Sequence, residues 1–256
     1  PSKNTSIMAI QLSIQKVEKS KINTIDFDNL SFGSVFTDHM FVCDYKYGAW
    51  QNPEIIPYQN ISMPPSAKVF HYGQAVFEGM KAYKDTRGQI WLFRPSDNQK
   101  RINISSKRLA IPEFPADYFL EGLDALLKLD SDWIKNDEGC SLYIRPFVIA
   151  TEAGVSALPA NEYKFMIICS PAQAYFDGEV RVRIADKYSR SASGGVGFAK
   201  AAGNYAGQFY PQNLAQKEGL QQVIWTDACN HENLEEAGAM NVFFRINDTL
   251  LTAPTS

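Results

Sequence analysis

One lysine of this chain lies in an unusual stretch of small residues. Residues 191–205 read SASGGVGFAKAAGNY, so glycine and alanine flank Lys200 and the backbone can approach a ligand closely. A P-loop needs glycine before its lysine and serine or threonine after it, whereas Ala199 and Ala201 occupy those positions. A dinucleotide-binding turn needs glycine or alanine at the position of Lys200. Both nucleotide-binding motifs are therefore excluded.

A lysine in such surroundings can serve as a nucleophile. An amine held in an apolar niche loses its proton more easily and can attack an aldehyde to form a Schiff base. If the aldehyde belongs to pyridoxal phosphate, the site also needs a carboxylate for the pyridine nitrogen, a donor for the phenolate oxygen and a cation for the phosphate. Glu236, Tyr205 and Arg101 are of these types, but the residue types alone leave the choice open among 28 acidic residues. The alternative is a surface loop with a solvated lysine.

Several segments in a fixed order carry a family resemblance. They extend over most of the chain from about Asp26 onward. Together they resemble the branched-chain amino-acid aminotransferases, a family of fold-type IV pyridoxal-phosphate enzymes. The segments are FGSVFTDHM (32–40), HYGQAVFEGMKAYK (71–84), LFRPSDNQKRINISSKRL (92–109), SLYIRP (141–146), GGVGFAKAAGNY (194–205), QQVIWTD (221–227) and LEEAGAMNVFF (234–244).

The resemblance implies a role for each matching residue. Lys200 matches the lysine that binds the cofactor aldehyde and later moves the α-proton of the substrate. Tyr205 matches the cofactor tyrosine, on the phenolate side of the ring. Glu236 matches the partner of the pyridine nitrogen, and Arg101 matches the phosphate arginine. Tyr72, Phe77 and Tyr143 match the aromatic walls of the substrate pocket. Arg145 matches the arginine for the second carboxylate of glutamate, and Ala239 and Met240 match two residues near the substrate carboxylate.

Hydrophobic periodicity predicts a mixture of strands and helices. Helices are expected at 96–109, at 117–129 with Asp117 as N-cap, and at 205–217, where Pro211 should kink the helix or shift its start. Because the elements do not alternate regularly, we predict an α+β protein, and the resemblance implies a two-domain fold like that of D-amino-acid aminotransferase. Strands are expected at 36–45, 89–93, 142–149, 165–170, 180–184 and 222–225, followed by a hairpin that turns at Asn247-Asp248.

The segment 171–180 combines proline, alanine, aspartate and glycine after a predicted strand, which is typical of a linker. We therefore expect a smaller N-terminal domain at 1–170 and a cofactor domain that begins at 181. The second domain would end at 256, soon after one hairpin. We accordingly expect it to be incomplete at its C-terminus.

Charge and composition exclude several classes of protein. The 25 Lys and Arg residues against 28 Asp and Glu argue against a nucleic-acid partner, and no apolar run reaches the roughly 20 residues of a membrane span. The three histidines lack metal-binding spacing, so no metal site is expected. The four cysteines form no close pair, which favours reduced thiols and a cytoplasmic location. They are Cys43, Cys140, Cys169 and Cys229.

The resemblance predicts pyridoxal-phosphate-dependent transamination between leucine, isoleucine or valine and 2-oxoglutarate. It also implies that the protein is a homodimer and that its small-molecule partners are amino acids and 2-oxo acids. Two alternatives stay open. One is another fold-type IV enzyme, either a D-amino-acid aminotransferase or an aminodeoxychorismate lyase. The other is a catalytically silent relative that acts as a binding surface.

Overall fold

The computed structural model describes residues 10–173, 178–238 and 240–254, in which helices and strands are mixed. Short 3-10 helices lie at Ile22–Thr24 and Ser131–Trp133. The α-helices are α1 (Lys68–Tyr72), α2 (Pro95–Arg108), α3 (Ala116–Leu129), α4 (Ala202–Ala206) and α5 (Phe209–Lys217). The strands are β1 (Ser13–Ile14), β2 (His39–Lys46), β3 (Ala49–Trp50), β4 (Glu54–Pro57), β5 (Ala75–Phe77), β6 (Met80–Lys84), β7 (Ile90–Leu92), β8 (Ser141–Ala150), β9 (Tyr163–Ala172), β10 (Val182–Ile184), β11 (Gln222–Thr226), β12 (Leu234–Ala237), β13 (Phe243–Ile246) and β14 (Thr249–Thr252).

A sheet of nine strands forms the larger part of the described chain. Its order is β1-β4-β2-β9-β8-β6-β7, with β3 added to β2 and β5 added to β8. Among the described strands of this sheet, only β1 and β4 pair in parallel, and the longest ladder joins β8 to β9 from Ser141 opposite Ala172 to Ala150 opposite Tyr163. Successive antiparallel ladders place β5 and β6 beside β8, so the connection between them also runs along β8, where the N–H of Glu78 donates to the carbonyl of Pro146.

Helix α3 packs against β2 on this sheet. Its buried residues include Leu123, Leu126 and Leu127, which recur at the three- and four-residue spacing of a helix with one apolar face. Each such side chain contributes about 1.5–3 kcal/mol when it is fully buried. Close approach of the two backbones is possible because α3 carries Gly122 opposite the ring of Phe41.

Aromatic rings fill the core between α3 and the sheet. The rings of Phe114 and Phe165 are stacked with centroids 3.7 Å apart, and Phe41 meets both rings edge-on. All three side chains are buried, so their packing leaves little room for a larger residue nearby.

Residues 182–252 form two smaller sheets. Strand β11 pairs with β10 in parallel and with β12 in antiparallel orientation, and α5 packs on β11. Here a separate small core contains Ala185, Ala215, Val223 and Trp225. Strands β13 and β14 form the predicted hairpin, with Asn247 at a φ of 55° in its turn. No helix among the described residues is long and apolar enough to cross a bilayer.

Two helix predictions were wrong in detail. The third predicted helix is divided into α4 and α5, and Pro211 lies in the first turn of α5, where its missing N–H removes no helical hydrogen bond. Asp117 is not the N-cap of α3. Pro115 occupies that position, and Asp117 lies within the first turn, where its charge favours the helix dipole.

The strand predictions placed the long strands of the large sheet and its short strand β7, but they missed its other short strands. Strand β2 begins at His39 rather than at residue 36, and β9 extends to Ala172. The strands β1, β3 to β6 and β12, together with helix α1, were not predicted. The division of the chain at 171–180 stays a prediction, since residues 174–177 lie outside the described residues.

We expect Gly122→Ala to destabilise the protein. A Cβ atom at this position would lie 2.2 Å from Cε2 of the buried Phe41 ring. Overpacking of this kind costs about 1–3 kcal/mol, and it opposes the roughly 1 kcal/mol by which alanine is the better helix former. Urea unfolding should therefore show a lower free energy of unfolding.

The matched control is Gly203→Ala in α4, where no atom lies within 4 Å of the added Cβ. This control should keep or raise the free energy of unfolding. A Gly122→Ala protein as stable as the parent would contradict the packing of α3 on β2.

Candidate active site

The main chain of Lys200 is bound between helix α2 and strand β5. Its N–H donates to Oγ of Ser105 at 2.9 Å, and its carbonyl accepts from the N–H of Phe77 at 3.1 Å. The next residue, Ala201, forms an isolated bridge with Val76. These links join the segment that precedes α4 to the large sheet, and they fix the point from which the lysine side chain extends.

The loop before Lys200 is closed by small residues and one amide. Asn204 donates from Nδ2 to the carbonyls of Val196 and Ala199, both at 2.9 Å. A Cβ atom at Gly197 would lie 2.2 Å from Cβ of Ser191, so only glycine allows this close approach. Gly197 is one of the glycines predicted to let a ligand approach, but here it is required for close packing within the loop itself.

The amine of Lys200 faces the first turn of α4. Its Nζ lies 2.8 Å from the hydroxyl of Tyr205 and 4.8 Å from the ring centroid of Phe77. The rings of Phe77 and Tyr205 are themselves 4.8 Å apart between centroids. Phe77 therefore forms an apolar wall beside a polar contact, and two of the sequence-predicted residues meet Lys200 directly.

Strand β12 carries Glu236, which is paired with Arg190. Nη1 of Arg190 lies 2.6 Å from Oε1 of Glu236, and the side chains are 9% and 37% exposed. The same Nη1 donates to the carbonyl of Gly197 at 3.3 Å, so the arginine connects the carboxylate to the loop before Lys200. The pair fixes the direction of one carboxylate oxygen.

Helix α2 places Arg101 at the same site. Its Nε and Nη2 donate to the carboxylate of Glu78, a residue that is completely buried directly after β5. The hydrogen bonds to Glu78 raise the pKa of Arg101, burial opposes this effect, and the negative charges of Glu78 and Glu236 add to the rise. The Arg101 guanidinium therefore lies in the electric field of the Glu78 and Glu236 carboxylates.

Strand β8 contributes Tyr143 and Arg145 to the candidate site. Nη2 of Arg145 donates to the hydroxyl of Tyr143 at 2.7 Å, and the guanidinium lies 4.4 Å from the ring centroid of Phe77. Within the described residues, the buried Nε of Arg145 has no hydrogen-bond partner. Phe32 meets Tyr143 edge-on at 4.9 Å. The structure thus brings Tyr143, Arg145 and Phe77 together.

Among the described residues, no hydrogen bond, ion pair or ring contact joins the predicted substrate residues Tyr72 and Met240 to Lys200 or to Phe77. Tyr72 ends α1, where its hydroxyl donates to the carbonyl of Val155. Met240 is exposed, and its carbonyl accepts from the N–H of Ala237 in the turn after β12. Ala239 lies outside the described residues. The roles of Tyr72, Ala239 and Met240 stay predictions.

Sequence reasoning missed three residues that hold the site together. Glu78 binds Arg101, Arg190 binds Glu236, and the buried Ser105 binds the main chain of Lys200. Glu78 and Ser105 lie inside the segments that carry the family resemblance, whereas Arg190 lies just ahead of one. Their residue types gave no signal, because a lone serine or charged residue is usually solvated.

Residues 75–256 match the protein family described as amino-transferase class IV. The match covers more than half of the chain and includes Phe77, Arg101, Lys200, Tyr205 and Glu236. The chain therefore belongs to the class IV aminotransferase family.

Curated relatives are similar over most of this chain. It is 46% identical over 236 residues to branched-chain-amino-acid transaminase 1 of Bacillus subtilis strain 168, which covers 90% of this chain and 66% of that protein. It is also 46% identical over 221 residues to the branched-chain-amino-acid aminotransferase of Mycolicibacterium smegmatis, with coverages of 84% and 60%. The resemblance predicted from the sequence is confirmed, and the chain spans at most about two thirds of the length of these relatives.

Solved structures share the fold. The crystal structure of the branched-chain aminotransferase from Thermoproteus uzoniensis with norvaline has a TM-score of 0.70 at 21% identity, covering 84% of this chain and 68% of that chain. The branched-chain amino acid aminotransferase from Thermobaculum terrenum in its PLP-form has a TM-score of 0.66 at 20% identity, with coverages of 83% and 66%. The predicted α+β fold of the fold-type IV aminotransferases is confirmed.

The Arg190–Glu236 pair should contribute to stability. A double-mutant cycle of Arg190→Met and Glu236→Gln should give a coupling free energy of about 1–2 kcal/mol, since the arginine side chain is largely buried and the glutamate is partly exposed. The measurement is the free energy of unfolding of the parent, both single variants and the double variant.

The Arg183–Glu218 pair is the control. Its atoms are 2.8 Å apart, but its side chains are 35% and 55% exposed. Its coupling should stay below about 1 kcal/mol. Equal coupling in the two pairs would contradict a structural role for Arg190.

Proposed function

We propose that this chain acts as an aminotransferase that uses pyridoxal phosphate to move the α-amino group of leucine, isoleucine or valine to 2-oxoglutarate. The observation that carries the proposal is the 2.8 Å contact between Nζ of Lys200 and the hydroxyl of Tyr205. Arg101 and Glu236 are each held by a largely buried ion-pair partner, Glu78 and Arg190 respectively. The names of the relatives from B. subtilis and M. smegmatis support the reaction and the substrate class.

The residues of the site fit pyridoxal phosphate in charge and in donor type. Lys200 supplies an amine for the aldehyde, Tyr205 a phenol for the ring oxygen, Glu236 a carboxylate for the ring nitrogen and Arg101 a guanidinium for the phosphate. Within the described residues, Nη1 of Arg101 makes no hydrogen bond, so this nitrogen is available to an anion. The PLP-form of the T. terrenum structure supports the same cofactor.

Lys200 would move the proton of the reaction. Pyridoxal phosphate, when bound, supplies an electron sink for the bond pair released at the substrate α-carbon. Nζ of Lys200 takes the α-proton and returns it as general base and acid. The hydroxyl of Tyr205 keeps Nζ oriented, while the ring of Phe77 excludes water from one side of the amine.

Glu236 would maintain the charge of the ring nitrogen. Its Oε1 is bound by Arg190, which leaves the other carboxylate oxygen for the pyridine N–H. A carboxylate that is already oriented stabilises charge without having to reorganise during the reaction.

The substrate would bind against Phe77, Tyr143 and Arg145. A branched aliphatic side chain can pack on the two rings, and the unpartnered Nε of Arg145 suits the distal carboxylate of glutamate. One pocket can thereby accept both an apolar and an acidic substrate. In this proposal Tyr72, Ala239 and Met240 complete the pocket as the family resemblance implies.

We extend the proposal to assembly and location. A division near 171–180 would separate an N-terminal domain from the cofactor domain. Phe70 on α1 and Val155 and Leu158 in the loop between β8 and β9 are exposed apolar residues, which supports a homodimer. All four cysteines are free thiols, in keeping with a reducing cytoplasm and a role in branched-chain amino-acid metabolism.

Lys200→Ala should abolish transamination without unfolding the protein. No amine would then bind the aldehyde or move the α-proton, so we expect kcat with L-leucine to fall by about 10³-fold or more. The measurement is glutamate production from L-leucine and 2-oxoglutarate by the full chain.

Lys187→Ala changes an exposed lysine of the same segment and should retain activity. A Lys200→Ala protein that turns over leucine at a near-normal rate would disprove the assignment. D-alanine turnover in place of L-leucine by the parent would favour a D-amino-acid aminotransferase, and no turnover of either would favour a silent relative.

Glu236→Gln should slow proton transfer while the cofactor still binds. The amide keeps the shape but lacks the charge that holds the ring nitrogen protonated, so single-turnover rates should fall by about 10²–10³-fold. Stopped-flow absorbance with L-leucine measures this step. Glu235→Gln, one residue away, should react at nearly the parent rate. Equal rates for parent and Glu236→Gln would show that another acid has this function.

A further inference from the structure

Glu78 is a buried carboxylate that receives four hydrogen-bond donors. Oε1 accepts from Nε of Arg101 at 2.5 Å, and Oε2 accepts from Nη2 of Arg101 at 2.8 Å, from Nδ2 of Asn98 at 2.8 Å and from the N–H of Gly79 at 3.2 Å. None of its surface is exposed. All four hydrogen-bond partners of this carboxylate are donors, so a side chain with two acceptor oxygens fits the position, whereas an amide would place its own N–H donors against them.

Glu78 holds one edge of the Arg101 guanidinium and leaves the other edge free. Nε and Nη2 are used by the carboxylate, whereas Nη1 makes no hydrogen bond in the described part of the chain. The side chain of Arg101 is 53% exposed, so without Glu78 it could adopt many rotamers. Asn98 lies one turn before Arg101 on α2, and Glu78 therefore binds two residues of the same helix face.

We propose that Glu78 is a positioning residue that directs Nη1 of Arg101 toward the phosphate of pyridoxal phosphate. The inference rests on the proposed function, which assigns the phosphate to Arg101. A guanidinium that is already ordered loses less conformational freedom when the phosphate binds.

Glu78 has a second effect of opposite sign. Its negative charge repels the phosphate and partly cancels the charge of Arg101. If this effect were the larger one, removal of the charge would strengthen phosphate binding. The direction of the change in phosphate affinity therefore distinguishes positioning from simple charge compensation.

The experiment compares two ligands that differ only in the phosphate. Apoprotein of the full chain is titrated with pyridoxal 5'-phosphate and with pyridoxal, and the ratio of the two dissociation constants gives the phosphate preference. We expect Glu78→Gln to reduce this preference about tenfold or more, because ordering of one long side chain is lost. The affinity for pyridoxal should change little. A merely destabilised protein would bind both ligands more weakly and keep the ratio.

Arg101→Lys is the second variant. It keeps the positive charge but cannot donate from two nitrogens to Glu78, so its phosphate preference should also fall. Glu152→Gln is the control, because Glu152 also pairs with a buried residue, Lys68, but forms no hydrogen bond or ion pair with Glu78 or Arg101 among the described residues, so its loss should leave the ratio unchanged.

Two results overturn the inference in distinguishable ways. An unchanged or increased phosphate preference in Glu78→Gln, or a full preference in Arg101→Lys, refutes the positioning role of Glu78 but leaves the proposed cofactor site standing. An absent phosphate preference in the parent protein refutes the proposed cofactor site and the inference with it.

Discussion

The attachment of the Lys200 main chain to β5 and α2 is the constraint on which the site depends. A lysine side chain is long and flexible, so its amine can be placed reproducibly only if the backbone from which it extends is fixed. Ser105 and Phe77 bind the N–H and the carbonyl of the same residue. Phe77 also forms the wall beside Nζ, and Ser105 lies one helical turn after Arg101. One helix and one strand thereby position the Lys200 amine, the Phe77 ring and Arg101 together.

Arg101 and Glu236 each have a partner of opposite sign that is largely buried. Glu78 holds Arg101, and Arg190 holds Glu236. An isolated charge in such a site would be costly to desolvate, and a mobile one would have to reorganise as the reaction proceeds. The two ion pairs lower the desolvation cost and restrict the movement of the charged groups, since each fixes one edge of a charged group and leaves the other edge for a ligand.

The sequence predicted the α+β class, the long strands β8 and β9 and the helices α2 and α3, because these have clear periodicity and adequate length. It missed α1 and most strands of two to five residues, whose short patterns carry little periodic signal. Lys200, Tyr205 and Phe77 were predicted to share a site and do meet. Glu78 and Arg190 could not be found in this way, because their importance comes from burial and from partners distant in the chain.

The most direct test of the account is the position of the cofactor on the full chain. The protein is loaded with pyridoxal phosphate, reduced with borohydride and digested, and mass spectrometry then locates the phosphopyridoxyl group. The account predicts stoichiometric labelling of the peptide that contains Lys200. Labelling of a different lysine, or no labelling after reduction, would contradict it.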